Sequence, residues 1–244
     1  MTKSQLYEVS KVVIRQRARL AEDKEVRRNA ILDAAETVYL GGGGRELNMA
    51  EVAVAAGLAK GTLYLYFPGK EELLLALHER HAEGYFQALG ALLANPAPVN
   101  IDQILALVQK HMVEPPAFLP LASRCLGLMD QCLPEETAVA HAARVGMALE
   151  QLGAALERRF PALIRGAGTT LLMQSYVLIV GLWQLLQKPK NYPSCQDRAE
   201  VRFLRRDYPS ELDQALRALW LGYTEPRGGA PVATPQSATP VELP

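Results

Sequence analysis

The side chains best suited to chemistry cluster between residues 48 and 70. When the apolar residues there are packed inward, Ala59, Lys60, Gly61, Thr62, Tyr64, Leu65 and Tyr66 are left outside. That set is small and aromatic with one cation, which is unusual for a solvated surface. Eight helical residues at 1.5 Å each span about 12 Å, and the DNA major groove, about 12 Å wide, admits such a helix. A second basic group, Lys11, Arg15, Arg17 and Arg19, has no acid among residues 11–19. It suits phosphate contact or a solvated basic arm, and the arginines also fit a minor groove.

Other chemistries find less support. Cys125, Cys132 and Cys195 form no CxxC pair, so neither a disulfide framework nor a zinc cage is expected. Cys125 and Cys132 lie on one helical face, as a thiol sensor or as inert core. His78 and His81 stand at i, i+3 without a third or fourth ligand, so no metal is expected. Gly41–Gly44 lacks a following GK[ST] and a preceding strand, so it is no phosphate loop. No nucleophile–base–acid constellation and no cofactor fingerprint is present. The expectation is no cofactor and no enzyme; turnover of a small hydrophobic substrate is the remote alternative.

The elements that would position these residues are helical. Ile31, Leu32, Ala35, Val38 and Tyr39 make one apolar face of a helix over about 24–40, ended by the glycine run. Asn48 caps a second, short helix, with Glu51 placed for a capping box. Val52, Ala53 and Ala56 face inward. Gly57 breaks that helix, and a third follows over 59–66, packed through Leu58 and Leu63. Two short helices joined by a tight glycine turn describe a helix-turn-helix. No stretch alternates apolar and polar residues, so no strand is expected.

The run from Arg28 to Glu36, then Asn48 to Leu73 with its core AGLAKGTLYLYFPGKEEL, resembles the DNA-binding domain of TetR-type (tetracycline repressor family) transcriptional regulators. The resemblance covers the N-terminal part of the chain. It implies an all-α homodimer. Each subunit would pair an N-terminal three-helix helix-turn-helix DNA-binding domain with a larger helical ligand-binding and dimerisation domain. It implies that Ala59, Lys60, Gly61 and Thr62 open the recognition helix against bases and backbone. Tyr64 would meet phosphate or a thymine methyl, and Tyr66 the backbone, although Tyr66 and Phe67 also fit core positions. Asn48 would anchor the second helix to phosphate. Lys70 would bind phosphate with help from the positive end of the fourth helix, or pair with Glu71 or Glu72. Three positions depart from the family pattern: Asn48 replaces the frequent Thr, Ala59 the frequent Ser, and Gly69 the usual Ser or Asn.

The fourth helix is expected over about 70–93, with Leu73, Leu74, Leu77, Tyr85, Leu89 and Leu92 on its apolar side. Further helices are expected at about 100–112, 117–131, 135–159, 167–187 and 209–223, separated by prolines. Leu171–Leu186 is apolar nearly all round, yet shorter than the roughly 20 residues of a membrane span; it reads as a buried helix. It and the last helix, with Leu212, Leu216, Leu219 and Trp220, are the expected dimer interface. Phe118, Met129, Met147, Met173, Tyr176 and Trp183 are candidate walls of a ligand pocket, and Arg124 and Gln151 its candidate polar groups.

The composition frames these readings. Apolar residues are 49% and charged residues 21% of the 244, which excludes wholesale disorder. The formal net charge is zero, so any attraction to nucleic acid must come from local asymmetry. The expected organisation is a flexible basic arm (1–23), a DNA-binding domain (24–69), a ligand-binding and dimerisation domain (70–223) and a disordered tail (224–244). Residues 1–20 lack the apolar core of a signal peptide, so a cytoplasmic setting is expected. The expected function is a ligand-responsive DNA-binding regulator. As a repressor it would bind a pseudo-palindromic operator as a dimer and be released by a small-molecule effector, with double-stranded DNA as partner and no membrane. An effector-independent or activating DNA-binding protein is the alternative.

Overall fold

The computed structural model describes residues 3–43, 47–131, 133–187 and 205–225. Among them the elements are all helical: α1 (Lys3–Gly41), α2 (Met49–Ala55), α3 (Lys60–Tyr66), α4 (Lys70–Ala94), α5 (Ile101–Val108), a π-helical turn (Gln109–Val113), α6 (Phe118–Gln131), α7 (Glu135–Arg159), α8 (Ala167–Leu186) and α9 (Tyr208–Thr224).

The largest departure from expectation is α1. It starts at Lys3 rather than near Lys24, so the stretch read as an arm continues the helix. Residues 3–23 hold no Gly or Pro and are rich in good helix formers. The lack of a clean apolar face there hid the helix from periodicity. Residues 226–244 and 188–204, with Cys195 and most of the charged segment before α9, lie outside the described residues.

Two apolar cores organise the chain, and α4 belongs to both. The first gathers Ile31, Leu32, Ala35 and Tyr39 of α1, Val52 and Ala53 of α2 and Leu63 of α3 around Leu73–Leu77 of α4; Ala117, Leu121 and Cys125 close it from below. The second gathers Tyr85, Leu89 and Leu93 of α4 with Phe118, Leu156, Leu171, Ile179, Leu216 and Trp220. The changeover falls between Leu77 and Tyr85, inside one uninterrupted helix.

Three contacts fix the larger bundle. α7 and α8 cross at Gly153 and Gly168, where a Cβ built on Gly168 would lie 2.2 Å from the Gly153 carbonyl oxygen. Glu157 of α7 accepts from the Gly166 and Gly168 amides at 2.8 and 3.1 Å, capping the start of α8. The Trp220 indole donates to Ser175 at 3.0 Å, and Ser175 passes a hydrogen bond to the Leu171 carbonyl at 2.7 Å.

The apolar stripe expected on α9 for a partner is spent inside. Leu212, Leu216 and Trp220 are buried in their own subunit's core, and Leu219 is half-buried against it. The exposed apolar side chains at this end are Met173, Val177 and Leu185 of α8 and Leu221 of α9. By length and composition α8 is apolar enough to cross a membrane, but Leu171, Leu172, Ser175, Ile179 and Val180 pack it against the bundle.

Candidate nucleic-acid interface

Gly57, at φ +65°, makes the turn between α2 and α3. Only glycine adopts this left-handed conformation readily. Leu63 and the Phe67 that follows α3 plug that helix into the first core. The Arg28 guanidinium lies 5.2 Å from the Phe67 ring centroid and braces the same corner.

The starts of α2, α3 and α4 converge on one surface concavity of about 410 Å³, lined by Leu47, Asn48, Met49, Ala50, Lys60, Tyr64, Lys70 and Glu71. Asn48, Lys60, Tyr64 and Lys70, separated in the sequence, are brought together here. Lys60 sits 5.8 Å over the Tyr64 ring, which holds its ammonium at the rim. Neither α3 nor α4 has a side-chain cap at its N-terminus. The positive end of a helix dipole favours an anion.

Two features oppose an anion there. Lys70 Nζ is 3.7 Å from Glu71 Oε1. The Glu72 carboxylate lies over Gly69, with Oε2 2.7 Å from where a Cβ would be. A phosphate seated at Lys70 must displace Glu71. Asn48 is likewise engaged: its Oδ1 accepts from the Ala50 amide at 2.9 Å and its Nδ2 donates to Glu51 at 3.3 Å. The capping box expected at Asn48 is thus replaced by a side-chain pair. A complete box forms instead at Asn100 and Gln103, at the start of α5.

The family models match both halves of the chain. Residues 31–77 match the model described as "Bacterial regulatory proteins, tetR family", and residues 79–227 match "Tetracyclin repressor-like, C-terminal domain". The chain belongs to the TetR family. That is the family the resemblance implied.

Among curated relatives of this TetR-family chain, the HTH-type transcriptional regulator EthR of Mycobacterium tuberculosis (strain CDC 1551 / Oshkosh) is 35% identical over 83 residues, 34% of this chain and 37% of that protein. The fatty acid metabolism regulator protein of Bacillus subtilis (strain 168) is 28% identical over 81 residues, 33% of this chain and 41% of that protein. The chain thus spans about two fifths of the length of these relatives. A TetR-like transcriptional regulator from Rhodococcus sp. RHA1 aligns over 82% of this chain and 97% of its own, at 21% identity and a TM-score of 0.41.

The remaining predicted site residues of this TetR-family head divide. Ala59 is exposed at the start of α3, and Gly61 is exposed on its outer side. Thr62 is half-buried. Tyr66 is half-buried too, packed against the first core, so it serves the fold as well as the surface.

The predicted pocket residues do not form one site. Phe118 is fully buried, and its ring centroid is 5.5 Å from that of His78. Tyr176 and His78 Nε2 share a hydrogen bond of 3.2 Å. Arg124 is half-buried on α6, where its charge reaches Tyr39 and Cys125. Trp183 is half-buried against the second core. Met147, Gln151 and Met173 are exposed: α7 packs through Leu152, Gly153 and Leu156 and α8 through Leu171, Leu172 and Ser175, which turns these three outward. The Met129 side chain lies outside the described residues.

What the sequence missed is His78. Considered only as a metal ligand with His81, it is a buried hub beneath α6 and α8. Burial drives its pKa down to about 4, with further lowering by the charges of His141 and His81, so it is neutral at pH 7. Its Nδ1 has no partner among the described residues. His81 turns the other way, with Nε2 3.0 Å from Glu36 of α1. Beside it Arg80 binds Asp33 at 2.6 Å and Glu36 at 2.7 Å, tying α1 to α4. Burial pushes the Cys125 thiol up to about 12, so at neutral pH it is not a reactive thiolate.

Proposed function

We propose that this regulator is a ligand-responsive repressor that binds a pseudo-palindromic operator as a dimer and is released by a small molecule, in the cytoplasm. The observation that carries the DNA side is the convergence of Asn48, Lys60, Tyr64 and Lys70 on one concave face of the helix-turn-helix. α3 enters the major groove. Lys60 and Tyr64 meet the backbone at the groove's edge, and Lys70 takes a neighbouring phosphate once Glu71 moves aside. The DNA-binding unit is 24–69, and the sensing and dimerising unit is 70–223.

Support for the effector comes from the buried polar groups on α4 and α8. His78 and Tyr176 form a hydrogen-bonded pair beneath Phe118, and the unpaired Nδ1 offers a further bonding point. A ligand that prefers one placement of α4 at His78 shifts Lys70 at the same helix's start, by no more than its differential affinity for the two placements. Met173, Val177 and Leu185 of α8, with Leu221 of α9, are the apolar side chains offered to the second subunit.

The test is binding to DNA from upstream of the protein's own gene, by fluorescence anisotropy at two salt concentrations. Wild-type protein should bind saturably and more weakly at high salt. Lys60→Ala and Tyr64→Ala should lose operator binding while light scattering still reports a dimer. Unchanged operator affinity in both variants refutes the site, and a monomer in wild type refutes the dimer.

A further inference from the structure

The outermost crest of α3 carries no hydrogen-bonding side chain. Taking Leu63 as the inward direction, successive residues at 3.6 per turn place Gly61 and Leu65 opposite it. Lys60 and Tyr64 fall on the flank toward α4, and Thr62 and Tyr66 on the other. Exposure follows this wheel: Leu63 is fully buried, whereas Leu65 is 81% exposed. A Cβ at Gly61 would meet nothing within 4 Å, so nothing in the protein's own packing requires a glycine there.

We infer that Leu65 is a specificity-determining residue that reads the C5-methyl group of a thymine in the operator half-site. The inference rests on the DNA-binding reading above and deepens it. In the major groove a thymine differs from the other bases by a methyl group, and apolar side chains are its partners. The crest of α3 is the part of the helix that goes deepest into the groove. At Gly61 it offers close approach without a side chain, and one turn later, at Leu65, it offers an apolar side chain that cannot hydrogen-bond. The hydrogen-bonding side chains Lys60, Thr62 and Tyr64 stand on the flanks, and of these Lys60 and Tyr64 meet the backbone at the groove's edge. Lys60 and Tyr64, which line the concavity, flank this crest on the same short helix, so the crest and the phosphate contacts engage one duplex together.

The test begins by selecting a preferred operator from a random duplex pool with the wild-type full chain. Each thymine is then replaced in turn by deoxyuridine, which removes only the methyl group. The expected result is one position per half-site where the replacement weakens wild-type binding about four-fold, the worth of one buried methyl group. Leu65→Ala should bind the selected operator more weakly and lose that dependence, while Leu65→Met, still apolar, should keep it. The salt dependence should be the same in all three proteins, since no phosphate contact changes. The same deoxyuridine profile in wild type and Leu65→Ala would overturn the inference while leaving the DNA-binding reading intact. Failure of the wild type to select any duplex overturns both.

Discussion

His78 should make the stability of this protein depend on pH in a defined window. Its imidazole is buried, and its pKa falls from 6.5 to about 4. The folded state therefore excludes a proton that the unfolded chain accepts. The stabilisation is complete above pH 6.5 and is lost as the pH falls through that value toward the folded pKa. Complete separation of the two pKa values corresponds to about 3 kcal/mol, and about 2 kcal/mol is lost by pH 5. The facing groups are Tyr176 of α8, His141 of α7, and Glu79 and His81 on α4 itself. Burial also depresses His81, adding a loss of the same sign. Burial pushes the Glu79 carboxyl up, but hydrogen bonds from His141 and Arg144 outweigh it and hold it below its usual value. Its contribution is lost only through the carboxylate range, below most of the His78 window. The assay is urea unfolding at fixed protein concentration from pH 8 to 5, for wild type and His78→Gln. Glutamine retains a hydrogen bond to Tyr176 but does not titrate. The stability difference between the two proteins should move by about 2 kcal/mol across that range, wild type losing more. A difference independent of pH, or a His78 ring titrating near 6.5 by NMR, would refute the reasoning.

Four further outcomes follow from the packing and the ion pairs. Gly168→Ala should cost about 2–3 kcal/mol in urea unfolding, because its Cβ meets backbone at the α7–α8 crossing; Gly146→Ala, in open space on α7, should gain about 0.5–1 kcal/mol. In a double-mutant cycle, Arg80 should couple to Glu36 by about 1 kcal/mol and to the exposed Asp33 by much less; equal couplings would sink the claim that the half-buried arm ties α1 to α4. Glu71→Gln should tighten operator binding by about three- to tenfold at low salt, as it removes a carboxylate that competes for Lys70; affinity unchanged at low salt would mean that no phosphate sits at Lys70.

Elements that depend on local periodicity and caps were legible from the order of residues. α7 runs from Glu135 to Arg159 as its flanking prolines and charges predict, and α2 and α3 are divided at Gly57, whose φ +65° suits glycine. That Lys60 and Tyr64 lie on the exposed side of α3 was legible because a helical wheel needs only spacing. The start of α1 was not, since residues 3–23 form a helix without an apolar stripe to announce it. Tertiary packing alone decided which face of each long helix is inside. Met147, Gln151 and Met173 have the residue types of a pocket wall, yet the Gly153–Gly168 contact rotates their helices so that they face outward. The same packing buries the α9 stripe that sequence assigned to a partner. It also lowers His78 beneath Phe118 and Tyr176, far from any role its i, i+3 spacing to His81 suggested. Burial and pKa belong to the sum of neighbours from distant parts of the chain, and local spacing carries no record of them.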